Sequence, residues 1–243
     1  MEGRSLYELG SFYFSFPMLQ SAPSGDGHPV LVLPGFMASD LSTIPLRTYL
    51  KTRGYAPYGW SLGRNYGRGI DTVDGIPANA RILERVRKLK AKHGRKVSLI
   101  GWSLGGVYAR EIARMCPEEI RLVVTLGSPF NGNPHANNVS ALFEIMSGKK
   151  IDEIDPDLLQ RLKEPPPVPS TAIYSRTDGV VAWQCCIEKA APTTENIGVL
   201  SSHVGLGHNP LVLWIIADRL AQPENEWTPF DKSGYKSLFF ETP

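Results

Sequence analysis

Ser103 lies in Gly101-Trp102-Ser103-Leu104-Gly105, directly after the apolar run Val97-Ser98-Leu99-Ile100 and ahead of Gly106-Val107-Tyr108-Ala109-Arg110-Glu111-Ile112-Ala113. A G-x-S-x-G pentapeptide between a strand and a helix is the setting of a nucleophile elbow, a sharp turn that lifts a serine hydroxyl above the sheet edge. Glycines are required where the two backbones approach most closely, because a side chain there would collide. The helix N-terminus behind the serine favours the negative charge that develops when a hydroxyl attacks a carbonyl. An ordinary Gly-rich turn with a capping serine would have no need of Gly105 and Gly106 as well. The chemistry indicated is acyl transfer to Ser103.

A serine hydroxyl is a weak nucleophile until a base takes its proton, and the base needs a third group to fix its tautomer. Behind an elbow of this kind the acid follows the serine in the chain and the histidine follows the acid. Asp178 fits, because Ile173-Tyr174-Ser175-Arg176-Thr177-Asp178-Gly179 reads as a late strand running into an acid-bearing turn. Asp152, Asp155 and Asp157 cluster with Glu153 and read as solvated charges, while Glu188 comes too late for the strand end. Only His203 and His208 lie downstream. His203 is preferred because it comes just after the last strand. His208 precedes Asn209-Pro210 and is assigned a capping or supporting hydrogen bond. His28, His93 and His135 precede the acid and are expected to be exposed or structural. Two backbone N–H groups should face the developing alkoxide, that of Leu104 after the nucleophile and that of Phe36 in the turn after the first buried strand.

These groups need a rigid frame. Pro29-Val30-Leu31-Val32-Leu33 is continuously apolar, as a buried parallel strand must be. Further strands are expected over 55–62, 97–100, 121–127, 171–176 and 195–200. Helices are expected from Ser39 or Asp40 to about Arg53, near 78–93, after the elbow, and over 210–220. Strands alternating with helices imply an α/β fold with a mainly parallel central sheet covered by helices on both faces. Between Pro129 and Pro169 the rhythm lapses. Short amphipathic helices at Ala141–Met146 and Ile154–Leu162 make 133–168 a small helical cap or lid within one domain spanning 1–243. Leu142, Phe143 and Met146 serve equally as pocket lining or as the cap's own core. The aromatic-rich N-terminal stretch reads as an arm docking on the body.

Composition bounds the remaining possibilities. The chain has 243 residues, 42% hydrophobic and 21% charged, enough for a sizeable core. A net charge of +2 gives no electrostatic reason to expect nucleic acid or an anionic membrane as partner. The basic stretch Arg81–Lys96 carries Ile82, Val86 and Leu89 at helical spacing, so its cations belong to a solvated face. Cys116, Cys185 and Cys186 make no disulfide framework. The N-terminus lacks a signal-peptide pattern and no apolar run reaches membrane-spanning length, so a cytoplasmic location is expected. Neither a cofactor nor a metal is expected: H-E-x-x-H and paired zinc-ligand spacings are missing from the sequence. Gly63-Arg64-Asn65-Tyr66-Gly67-Arg68-Gly69 lacks the lysine and hydroxyl residue of a phosphate loop and reads as a flexible rim of the site. Asn138-Val139-Ser140 matches a glycosylation sequon, which has no meaning in a cytoplasmic setting.

Four segments resemble the α/β-hydrolase superfamily, and within it small bacterial lipases and carboxylesterases. They are Val30–Phe36, Gly101–Gly106, Thr125-Leu-Gly-Ser-Pro-Phe-Asn-Gly132, and Ile173–Val181 taken with Ser202-His-Val-Gly-Leu206. The resemblance implies a serine ester hydrolase acting on a small-molecule or lipid ester through an acyl-enzyme, and its histidine-loop pattern supports His203. An acyltransferase, thioesterase or amidase using the same three residues is the alternative. Pro34-Gly35 stands where many such lipases carry His-Gly, which should alter substrate shape while keeping the oxyanion site. The oligomeric state is left open.

Overall fold

A computed structural model of the chain describes residues 3, 8, 10–11, 14–67, 72–73, 76–131, 156–234 and 239–240. The regular elements, in chain order, are β1 (Pro29–Leu33), α1 (Ile44–Thr52), β2 (Ala56–Gly59), α2 (Ala78–His93), β3 (Val97–Trp102), α3 (Leu104–Met115), β4 (Ile120–Leu126), α4 (Pro156–Lys163), β5 (Ser170–Tyr174), β6 (Thr194–Gly198) and α5 (Pro210–Ala221). A separate two-stranded pair, Thr72–Val73 with Ile76–Pro77, precedes α2.

The six numbered strands form one parallel sheet in the order β2-β1-β3-β4-β5-β6. Every residue of β1, β3, β4 and β5 is buried, which explains why β1 runs continuously apolar and why none of the four alternates apolar with exposed polar residues. Alternate residues still feed opposite faces. Leu31, Leu33, Leu99 and Val123 pack with Ile82, Val86 and Leu89 of α2 and Val107 and Ile112 of α3. Val30, Val32, Ile100 and Val124 pack with Leu46, Tyr49 and Leu50 of α1 and Val212, Leu213 and Ile216 of α5. Each such Val, Leu or Ile contributes about 1.5–3 kcal/mol by leaving water. The sheet is therefore covered on both faces, as the alternating pattern requires.

The chain order creates a switch point. From β1 the chain moves one way to β2, then crosses back over β1 to β3. The segments leaving β1 and β3 therefore diverge to opposite faces and open a crevice between them, where open α/β sheets bind their ligands. Register pairs Leu33 with Gly101, so the turn after β1 and the turn after β3 stand side by side.

Several boundaries differ from the sequence reading. The second strand is four residues, not eight, because Trp60 and Ser61 turn away to give their amides to the Asp40 carboxylate, at 2.9 and 3.0 Å. With Asp40 so engaged, the first helix starts at Ile44, with a proline in its first turn, and not at Ser39 or Asp40. The Arg81–Lys96 reading holds: Ile82, Val86 and Leu89 are buried while Arg81, Arg87 and Lys88 face water. Gly63–Gly67 is not a loose rim: Asn65 is buried in it and hydrogen-bonded on both sides of the turn after β1. Cys116, Cys185 and Cys186 are all buried free thiols. Of the expected cap, α4 lies at 156–163. The helix at 141–146, with Leu142, Phe143 and Met146, falls outside the described residues, as do His135, the 138–140 sequon, Asp152 and Asp155. No helix among the described residues is long and apolar enough to cross a membrane.

Candidate active site

Ser103 sits between β3 and α3 with φ 52° and ψ −122°, in the left-handed half of conformational space that a serine rarely occupies. Its surroundings enforce this. Its amide donates to the carbonyl of Leu126 on β4 at 2.8 Å, and its own carbonyl accepts from the Gly106 amide at 2.9 Å. A side chain on Gly105 would land on the Leu33 carbonyl, and one on Gly106 on the Ser128 hydroxyl. The glycine spacing is thus a packing requirement of the elbow, as the motif predicts.

The turn after β1 lies against the serine. A Cβ on Gly35 would stand 3.3 Å from the Ser103 Cβ and 3.9 Å from its Oγ. Among the described residues, no backbone carbonyl accepts from the Phe36 amide. Leu104 opens α3, so its amide has no acceptor within the helix.

Asp178 and His203 meet at the far side of the elbow, with Nδ1 2.6 Å from Oδ2. The other carboxylate oxygen of Asp178 accepts from the amides of Val180 and Val181, each at 2.8 Å. The carboxylate is almost completely buried, which strengthens these contacts. Asp178 also faces Cys186, whose thiol burial holds well above its usual range, with the Asp178 charge acting in the same direction. That thiol stays neutral beside the carboxylate.

Two contacts tie the histidine loop to the elbow. The Trp102 indole N–H donates to the His203 carbonyl at 3.1 Å, and Gly207 passes so close to the Trp102 ring that a Cβ there would be 2.8 Å away. Gly127, at φ 54° directly after β4, leaves room for both partners: a Cβ on it would stand 3.1 Å from Asp178 Oδ2 and 3.2 Å from His203 Nδ1. Ser103 and His203 are both nearly buried, at 6% and 7% exposure. The expected residues therefore converge on one end of the sheet.

His208 instead lies at the turn into α5, where its amide donates to Gly205. The helix cap is Asn209, whose side chain accepts from Leu211 at 2.9 Å. Glu188 is also away from the chemistry, fully buried in an ion pair with Arg110 of α3.

Three residues of the site escaped the sequence reading. Ser175 joins the acid turn to the histidine loop: its hydroxyl donates to the Ser201 carbonyl at 2.7 Å and accepts from the amides of Thr177 and Ser201, both at 3.1 Å. Glu8 of the N-terminal arm buries its carboxylate under the same loop, accepting from the Ser202 amide at 2.8 Å and from the Ser202 hydroxyl. Asn65 braces the turn after β1. Serine after a strand and glycine around an asparagine are weak signals, and nothing near Glu8 in the sequence points to residue 202.

A profile described as the alpha/beta hydrolase family matches residues 30–237, and the chain belongs to that family. No curated protein matches it significantly. Among solved structures it is similar to Aspergillus fumigatus lipase B, at 15% identity and TM-score 0.61, over 82% of this chain and 54% of that one. It is similar to a Bacillus licheniformis lipase in mature form, at 15% identity and TM-score 0.58, over 82% and 94%. A structure described under two metagenome-derived lipolytic enzymes aligns at 18% identity and TM-score 0.57, over 82% and 93%. The chain spans about half the length of the Aspergillus lipase. At these identities the likeness is one of fold.

Proposed function

We propose that the protein is a serine ester hydrolase of the lipase and carboxylesterase type, with Ser103 as nucleophile, His203 as base and Asp178 as its orienting acid. The observation that carries this reading is the 2.6 Å Asp178–His203 hydrogen bond on a loop fastened to the elbow through Trp102. With Nδ1–H turned to Asp178, the Nε2 atom of His203 is the one that takes the Ser103 proton. Ser103 Oγ then bonds to the carbonyl carbon, and the amides of Phe36 and Leu104 stabilise the resulting oxyanion. Collapse expels the alcohol, which takes the proton from His203. Water, deprotonated by the same imidazole, releases the acid and restores Ser103. The oxyanion's negative charge is held by the two amides and the α3 N-terminus, and the imidazolium's positive charge by Asp178.

The test is hydrolysis of p-nitrophenyl esters of increasing acyl length by wild type and Ser103→Ala, with matched thioester and anilide substrates alongside. Ester turnover that disappears in Ser103→Ala, with the fold intact by circular dichroism, is the expected result. Turnover near wild type in that variant refutes the nucleophile, and turnover confined to the thioester or anilide refutes the ester assignment.

A further inference from the structure

We infer that Asn65 is a positioning residue of the oxyanion site, setting the orientation of the Phe36 N–H from the opposite side of the turn after β1; the inference rests on the ester hydrolase reading above. Asn65 is buried, and four of its groups are engaged. Its side-chain N–H donates to the Pro34 carbonyl at 2.9 Å, and its side-chain oxygen accepts from the Gly67 amide at 3.1 Å. Its backbone carbonyl accepts from the Met37 amide at 2.6 Å, and its backbone amide donates to the Ala38 carbonyl at 2.8 Å.

The arrangement has a specific mechanical consequence. The N–H of Phe36 belongs to the Gly35–Phe36 peptide. The peptide before it carries the Pro34 carbonyl, and the peptide after it carries the Met37 amide. Asn65 holds both, one through its side chain and one through its backbone. The carbonyl of the Gly35–Phe36 peptide is itself fixed by the Ala38 amide at 3.2 Å. Rotation of that peptide, which would turn the Phe36 N–H away from Ser103, must break bonds on both flanks.

The turn needs such restraint, because Met37 has φ 58°, a region that an L residue with a long side chain seldom enters. Met37 is also half-exposed, so side-chain packing does not hold it there. The loop carrying Asn65 is in turn anchored: the Trp60 indole donates to the Gly63 carbonyl at 2.9 Å, next to the amides that hold Asp40. Preorganised donors act on the transition state only while their direction is fixed beforehand.

Asn65→Asp tests this with the least change of shape. It keeps an oxygen for Gly67 but puts a carboxylate oxygen against the Pro34 carbonyl. Asn65→Ser, too short to reach Pro34, serves as the second variant. Both are compared with wild type and Ser103→Ala on p-nitrophenyl butyrate and on its thionoester, in which sulfur, a poorer hydrogen-bond acceptor, replaces the carbonyl oxygen. The expected result is a kcat lower by roughly 100-fold with KM changed by less than about threefold, and an oxygen-over-sulfur preference that shrinks about tenfold relative to wild type. An unchanged preference, or a loss confined to KM, overturns the inference. So does failure of both variants to fold, which would make Asn65 a residue of the fold and not of the turn. Turnover near wild type in Ser103→Ala would instead refute the serine ester hydrolase reading, whatever Asn65 does.

Discussion

Ser103 keeps its φ of 52° because both of its peptide groups are already committed, one to Leu126 and one to Gly106, and because the glycines around it remove what would otherwise clash. A dihedral of this kind persists only when its neighbours over-determine it. The same logic separates the two candidate histidines. His203 shares a short hydrogen bond with a carboxylate that is itself held by two amides, whereas His208 lies at the start of α5 beside a separate capping asparagine. His203→Ala should lower kcat on an activated ester by roughly a millionfold, since members of such a unit fail together. His208→Ala should retain most of it. Steady-state kinetics on the two variants checks the assignment, and a reversed order of severity would exchange their roles.

Helix α3 begins directly after the elbow and carries Arg110 about two turns in. Arg110 is fully buried, paired with Glu188, donating to the carbonyls of Leu162 and Glu164, and stacked over the Phe130 ring at 3.7 Å. Burial lowers its pKa, and the Glu188 charge opposes that effect. One guanidinium thus joins α3, the end of α4, the Gly127–Asn131 segment and the strip before β6. A buried pair is costly to break because the surviving charge is stranded. Glu188→Ala should therefore destabilise the fold by roughly 3–5 kcal/mol, measured by urea unfolding. Replacing both partners with apolar residues of similar size should recover much of that loss. A single-variant effect below about 1 kcal/mol would mean that the pair is not a fastening of α3.

What could be read in the sequence was what is local to it. The elbow announces itself because its glycines, serine and flanks lie within a few residues, and the acid and histidine follow from strand order. The braces are non-local. Asn65 acts on Pro34, Arg110 on Glu188, and Glu8 on Ser202, and no spacing rule links such partners. The loop at 63–67 was misread for this reason: glycine content signals freedom, but the hydrogen bonds of Asn65 remove it. The first helix starts later than its sequence suggests because Asp40 is taken by a distant turn.

At the scale of the molecule, the opposite end of the sheet holds a second acid–imidazole–hydroxyl set. Asp26 Oδ1 lies 2.5 Å from His28 Nδ1, and His28 Nε2 lies 2.9 Å from the Ser98 hydroxyl on β3. His28 and Ser98 are wholly buried. Burial lowers the His28 pKa to about 4; the Asp26 hydrogen bond works the other way, and the Arg121 charge adds to the lowering. For Asp26, burial works against the charge, but the bonds from His28 and Arg95 outweigh it and hold the carboxyl well below its ordinary range. The unfolded chain binds a proton at His28 from about pH 6.5 downward, while the folded chain resists until about pH 4. Stability should thus be full above about 6.5 and fall as pH drops toward 4, by about 3 kcal/mol at most. Asp26 adds a further loss below its ordinary pKa, in the same direction. Urea midpoints between pH 7.5 and 4.5 should fall in wild type and stay flatter in His28→Gln, and parallel curves would reject His28 as the acid-sensitive group.

A search for nothing more than acid, imidazole and hydroxyl at hydrogen-bonding range would therefore find a match at the buried floor of this sheet. Its serine lies within β3, with no strained turn or flanking glycine, and is sealed. A serine-directed phosphonate offered to the native protein is a direct way to tell a poised hydroxyl from an entombed one. It should attach once, at Ser103, and leave Ser98 unmarked.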